Sequence, residues 1–447
     1  MTGRRSRRSP ARLALLTALT AALTAGCGLL PGDARGGGRA PVTVMTWAPE
    51  RTGATDKPGM PAMAEAIARW VNASGGVDGH ELKVLTCDDG NDSEGAAACA
   101  RRAVREDVVA VVGSYSQHGR SFLSPLEAAD IPYIGGYGVT GEEFTSPLSY
   151  PVNGGQAALL AGNGRQLGEE CGRVFLVRPD TVAGDALPGL LDAGLAEAGA
   201  GGAVDVPAPE SAREYTAQAA RVLSAGPSGS AKPDCVTAVL GDRTDTFFDT
   251  FRRARAPRGA GGGVAGGGGA GAAGRVGRAR AAEGREVRIA SVLGGVDQSL
   301  VDRTGGARGP YEGAYVTGWY PVASDDRWAP MRRVIRDHAF DDNRIDPADA
   351  GVQTTWIAYE VLRRAVAEVD ADQVTAREVH RVLDDGLSVE TGGLTPKLRW
   401  RFEDLLAARD HPRLVNAEVT FQTVRSGRLT ATGSGPHDLT GTLAATP

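Results

Sequence analysis

Apolar and polar positions along residues 41–425 switch between two periods, and the switching outlines the elements. Short β-branched or apolar runs at 42–46, 82–86, 108–112 and 131–134 predict strands. Between them Met63, Ile67, Trp70 and Val71 recur at helical spacing within 60–72, and helices are expected over 94–105 and 121–129. The run Val108-Val109-Ala110-Val111-Val112 is apolar throughout, as in a strand covered on both faces. A second round begins after Pro151. It predicts helices over 156–167, 187–198, 212–225 and 244–256, and strands over 173–177, 203–206, 235–240, 287–292 and 314–317. Helices over 331–338, 348–369 and 375–384 follow, and a last strand over 417–423 is expected to close the chain. The βα alternation predicts an α/β protein with two doubly wound parallel sheets in tandem.

Inside the second unit, residues 259–274 are nearly all Gly and Ala, and 275–285 continue them with charge. The string Gly269-Ala270-Gly271-Ala272-Ala273-Gly274 satisfies GxGxxG, but no strand precedes it. The stretch at about 257–286 is expected to be an unstructured surface insertion, not a dinucleotide site. The ends of the chain change the picture more. Arg4, Arg5, Arg7 and Arg8 precede an apolar stretch at 13–25, and Ala25-Gly26-Cys27 follows. That layout predicts an export signal over 1–26, and Ala25-Gly26-Cys27 resembles a bacterial lipobox, which implies a lipidated Cys27 followed by a tether over 27–40. The alternative is cleavage by ordinary signal peptidase, with Cys27 incidental.

Export places the protein on the outer face of the cell membrane, held by lipid alone. No other apolar run approaches the roughly 20 residues of a spanning helix. Among 447 residues, 49 basic and 54 acidic side chains give a net charge of −5, which offers nucleic acid no field. No CxxC or HxxxH spacing exists, and no GxSxG, HExxH or Walker loop. No metal, cofactor or catalytic residue is therefore expected.

Open parallel sheets bind ligands beyond the carboxyl ends of their strands. The loops in question are 47–51, 113–119, 135–140, 178–180, 241–243 and 293–297, with Trp47 and Asp180 among the candidates. Ser114, Ser116 and Gln117 present hydroxyls and amides before a helix start, suited to an anion; simple N-capping by Ser116 is the alternative. Tyr137, Gly138, Val139 and Thr140 combine close backbone approach with an aromatic wall, and a plain tight turn is the competing reading. Asp88 and Asp89 are expected to cap the loop before the 94–105 helix rather than to do acid–base work.

The stretch Val71-Asn72-Ala73-Ser74-Gly75-Gly76-Val77-Asp78-Gly79 resembles the helix-plus-turn signature of type I periplasmic binding proteins, in the leucine/isoleucine/valine-binding group. The strand ending Cys87-Asp88-Asp89, the segment 108–116 and Ile131-Pro132-Tyr133-Ile134 continue the likeness. The resemblance implies two lobes on a three-stranded hinge, about 41–150 with 328–413 and 151–327 with 414–447. They would close on a small polar solute, amino-acid-like or an amide or organic acid, and deliver it as a monomer to an ABC permease. It also implies that a ligand carboxylate meets Ser114 or Ser116 and the amides of 138–140. The second lobe departs from the pattern. Val182-Ala183-Gly184 replace an aromatic–Gly turn, Asp242 stands for a tyrosine, and the acid that pairs with an ammonium falls near Leu293. Asp242 and Arg243 approach from that side, either as a displaced counter-charge or because the solute lacks an α-ammonium. A sensor on the same fold is the competing function, and an extracytoplasmic enzyme the remoter one.

The remaining cysteines, Cys87, Cys99, Cys171 and Cys235, suit an oxidising compartment. In a doubly wound sheet of order 2-1-3-4-5, the first and third strands are neighbours. Cys171 enters the first strand of the second unit and Cys235 the third, while Cys87 and Cys99 flank a short return. The pairs Cys87–Cys99 and Cys171–Cys235 are expected, with free buried thiols as the alternative.

Overall fold

The structure is a computed structural model that describes residues 39–445 except 53–54, 182–183, 210, 227, 256–285, 293 and 434. The expectations for the export signal, Cys27, the tether up to residue 38, Val182, Ala183, Leu293 and the Gly-rich insertion lie outside the described residues. Two sheets organise the rest. The first contains β1 (Arg39–Trp47), β2 (His80–Cys87), β3 (Ala110–Val112), β4 (Tyr133–Ile134) and β5 (Ser149–Tyr150), all parallel in the order β2-β1-β3-β4-β5. The second contains β6 (Arg173–Pro179), β7 (Val204–Ala208), β8 (Asp234–Ala238), β9 (Val287–Val292) and β10 (Tyr315–Gly318), in parallel order β7-β6-β8-β9-β10. The same winding thus occurs twice.

The side-chain period of two explains how β1 is buried on both faces. Val42 and Val44 join one apolar cluster with Met63, Ile67 and Ile357, whereas Met45 and Trp47 join another with Ala96, Cys99 and Phe122. Helices Gly59–Ala73 and Ala350–Val369 supply the first layer; Ser93–Arg105 and Gly119–Ala128 supply the second. Caps set several of these ends. Asp92 accepts from the Gly95 amide and Asp349 from the amides of Gly351 and Val352, while Thr375 and Glu378 form a reciprocal capping box. Asp88 accepts from the amides of Glu50 and Gly90 and Asp89 from that of Asn91, so both brace the loop before Ser93–Arg105.

The C-terminus corrects the sequence reading. The expected last strand is β11 (Glu418–Arg425), antiparallel to β10, but it is followed by β12 (Arg428–Ala431), β13 (His437–Asp438) and helix Thr440–Ala445. Ser426 (φ 51°) and Gly427 (φ 73°) reverse the chain in a two-residue hairpin, whose amides are held by the Glu312 carboxylate at 2.7 and 2.9 Å. A serine in the left-handed region hid the turn.

Both expected disulfides are present, Cys171–Cys235 from strand order and Cys87–Cys99 across the short strand-to-helix return. Cys171, just before β6, bonds Cys235 in the neighbouring β8, with Cα atoms 5.9 Å apart, and Cys87 bonds Cys99 at 5.8 Å. The chain passes between the sheets three times, and side chains tie the passages together. Trp400 Nε1–H donates to the Pro151 carbonyl (3.1 Å) and the Asn416 amide to Val152 (3.0 Å). Asn153 donates to the Tyr320 hydroxyl (3.0 Å), which also meets Thr354 Oγ1 (3.0 Å).

Candidate functional site

A cleft of about 810 Å3 lies at the carboxyl ends of both sheets. Thr55 and Lys57 follow β1, Tyr115 and Gln117 follow β3, and Tyr137 to Gly141 follow β4. From the other sheet, Thr181 follows β6, Gly241 and Thr244 follow β8, Gly294 follows β9 and Trp319 follows β10. This is where open parallel sheets hold ligands, and the volume falls in the roughly 300–1,000 Å3 range of small-molecule sites.

Its floor is aromatic. Tyr137 meets Tyr115 edge-on (centroids 5.0 Å) and Trp319 edge-on (5.1 Å), and all three are buried. Trp319 is aimed by an Nε1–H bond to the Gly155 carbonyl (2.8 Å), and Tyr115 accepts from the Gln117 amide (3.0 Å). Burial pushes the Tyr115 hydroxyl up to about 12, so it stays protonated at neutral pH.

The two sides touch. Gly294 (φ +92°) lies so close to Tyr137 that an added Cβ would sit 2.4 Å from the tyrosine oxygen; only glycine fits there. Asp242, after β8, accepts from the Asp56 amide (2.8 Å) and faces Lys57 Nζ at 3.5 Å; Asp349 faces the same ammonium at 3.5 Å. Burial alone would lower the Lys57 pKa, but Asp349, Tyr137 and Asp242 around it carry it well above the usual lysine value. Lys57 stays charged inside the cleft.

The candidates named from sequence divide into two groups. Gln117, Tyr137, Gly138, Val139 and Thr140 line the cleft, and Asp242 bridges it. Trp47 does not line it: alternation along β1 turns the indole into the core, against Phe122 (5.4 Å) and Tyr133 (6.0 Å). Ser114 Oγ is buried and accepts from the Trp47 amide (3.1 Å), and Ser116 Oγ accepts from the His118 amide (3.2 Å) as a local turn. Asp180 is exposed, with its amide paired to Ala208, and Arg243 lies in the short turn Gly241–Arg243 outside the lining.

The amides of 138–140 also differ from expectation. Glu143 accepts from Gly138, Val139 and Thr140 N–H, each at 3.0 Å, and from Thr140 Oγ1 at 3.3 Å. A side chain of the protein itself therefore holds the donors assigned to a ligand carboxylate. Burial raises the Glu143 pKa to about 7 against those hydrogen bonds.

Lys57, Tyr115, Trp319 and Glu143 were not among the sequence candidates. Only Glu143 had a readable signal, the spacing Thr140-x-x-Glu143 of a capping box. Among the described residues, no group of three or more His, Cys, Asp or Glu could hold a metal, and no helix is long and apolar enough to cross a membrane.

Two parallel α/β sheets sharing one cleft at their carboxyl ends define a two-lobed binding protein. The family model described as periplasmic binding protein matches residues 50–404, and the chain belongs to that family. Its members are extracytoplasmic solute receptors of ABC transporters rather than enzymes. A substrate-binding periplasmic protein from Ralstonia solanacearum is 14% identical, with a TM-score of 0.66 over 87% of this chain and 99% of its own. A branched-chain amino acid ABC transporter protein from Thermus thermophilus, with bound valine, is 15% identical (TM-score 0.66; 90% and 97% covered). A solute-binding protein from R. palustris in complex with 4-hydroxybenzoate is 11% identical (TM-score 0.65; 89% and 97% covered). At such identities the likeness is one of fold. No curated protein matches the chain in sequence.

Proposed function

We propose that the protein is the solute receptor of an ABC importer, closing its cleft on a ligand and presenting it to the permease as a monomer. The carrying observation is the cleft lined from both sheets by strand-end loops, with Tyr115, Tyr137 and Trp319 as its floor. The lobes in this reading are 41–150 with 328–413 and 151–327 with 414–447. The three tied passages at Pro151–Asn153, Tyr320 and Asn416 serve as the hinge. Asp242, reaching the Asp56 amide and Lys57, is the contact that opening breaks. Lipidation at Cys27 keeps the receptor beside its permease.

The test is a thermal-shift screen of amino acids, amides, organic acids and aromatic solutes. A true ligand at 100 times Kd adds about 2.7 kcal/mol of apparent stability. The shift should vanish in Tyr137→Ala and Trp319→Ala proteins that keep wild-type circular dichroism. A screen in which no solute shifts the transition, or a shift that survives both substitutions, refutes the reading.

A further inference from the structure

The groups that the sequence assigns to a ligand carboxylate are already engaged within the protein. Glu143 takes the amides of Gly138, Val139 and Thr140, while the Ser114 and Ser116 hydroxyls, which do not line the cleft, donate to the Val112 carbonyl and the Asp89 carboxyl. Lys57 is the one lysine or arginine lining the cleft among the described residues, and it faces two carboxylates, Asp242 and Asp349. One ammonium against two carboxylates leaves no surplus positive charge. Glu142 and Asp410 add acid to the lining, Asp185 is paired with Arg178 at 2.8 Å, and burial lowers the His411 pKa, favouring its neutral form.

A buried anion without a partner is among the costliest groups a site can hold. The Lys57 ammonium lies 5.9 Å from the Tyr137 ring centroid, so the aromatic floor already faces a cation of the protein itself. The rest of the wall is apolar or neutral: Tyr115, Tyr137 and Trp319 below, Leu159, Leu187 and Leu190 beside them. The Gln117 and Gln156 amides and the Thr55, Thr140, Thr181 and Thr244 hydroxyls are the neutral polar groups of the lining besides the tyrosines.

We propose, resting on the receptor reading above, that the cleft favours uncharged aromatic or apolar solutes over the corresponding carboxylates. Glu143 is a specificity-determining residue because it holds the 138–140 amides away from the ligand. The experiment uses the full chain and three matched pairs, 4-hydroxybenzamide with 4-hydroxybenzoate, phenylacetamide with phenylacetate, and indole-3-acetamide with indole-3-acetate. Affinities are measured by calorimetry at pH 8. The amide should bind at least tenfold more tightly than its acid in at least one pair, and Glu143→Ala should narrow that ratio by strengthening the acid.

Acids that bind as well as their amides overturn the inference and leave the receptor reading standing. Binding by neither member of any pair also overturns it, and the receptor reading then stands or falls by the broader screen. A folded Glu143→Ala protein with an unchanged ratio overturns the role given to Glu143. Should that variant not fold, the wild-type ratio still decides the solute class.

Discussion

Glu143 makes folding stability depend on pH in a way that can be isolated. Its carboxyl is buried and titrates at about 7 in the folded protein, against a reference value of 4.5. A folded-state pKa above the unfolded one means that the native state binds more protons between those values. The stabilisation is therefore fully present below about pH 4.5 and is lost as pH rises through about 7. At 1.36 kcal/mol per unit the loss is about 3 kcal/mol.

Other groups work in the same range. His411 and His437 are held below the usual histidine value by burial, so they favour the folded state as pH rises. Comparing wild type with Glu143→Gln cancels them. The glutamine keeps the shape and one acceptor but cannot ionise, and it sets an N–H against an amide at a cost of about 1–3 kcal/mol at every pH. Urea unfolding at pH 5, 6, 7 and 8 should show the difference between the two proteins moving in favour of glutamine by about 2.5 kcal/mol. Parallel profiles across that range would refute the burial argument.

The disulfides should differ in worth. Cys171–Cys235 closes a separation of 64 residues and should contribute about 4 kcal/mol by chain entropy; Cys87–Cys99 closes 12 and should contribute about 3. Urea midpoints of the two double alanine variants check the order, and an equal or greater loss from the shorter loop counts against the entropic account. Cys27→Ser should release the protein from cells to the medium, because each buried acyl CH₂ contributes about 0.8 kcal/mol to membrane attachment. Wild type found wholly in the medium, with Cys27 unmodified, would exclude the lipid anchor.

Period alone determined a good deal about this protein. The change from a two-residue to a 3.6-residue rhythm located both sheets, because a strand covered by helices on both faces has little choice but an apolar run. Strand order in a doubly wound sheet is limited by the handedness of its crossovers, so the pairing of Cys171 with Cys235 follows from the order of elements along the chain. The strand-end loops were legible for the same reason, and Tyr137 and Thr140 lie where those loops were expected to meet the cleft. What the pattern does not carry is direction within a loop. Ser114, Ser116 and the 138–140 amides have the right chemistry, but they donate to Val112, Asp89 and Glu143. Trp47 ends a strand, and its parity, not its proximity to the cleft, sends the indole into the core. Lys57, Tyr137 and Trp319 are far apart in the chain and leave no shared spacing to read. Tertiary folding alone made them one surface, because each follows a different strand and only the packing of the two sheets brings those strand ends together.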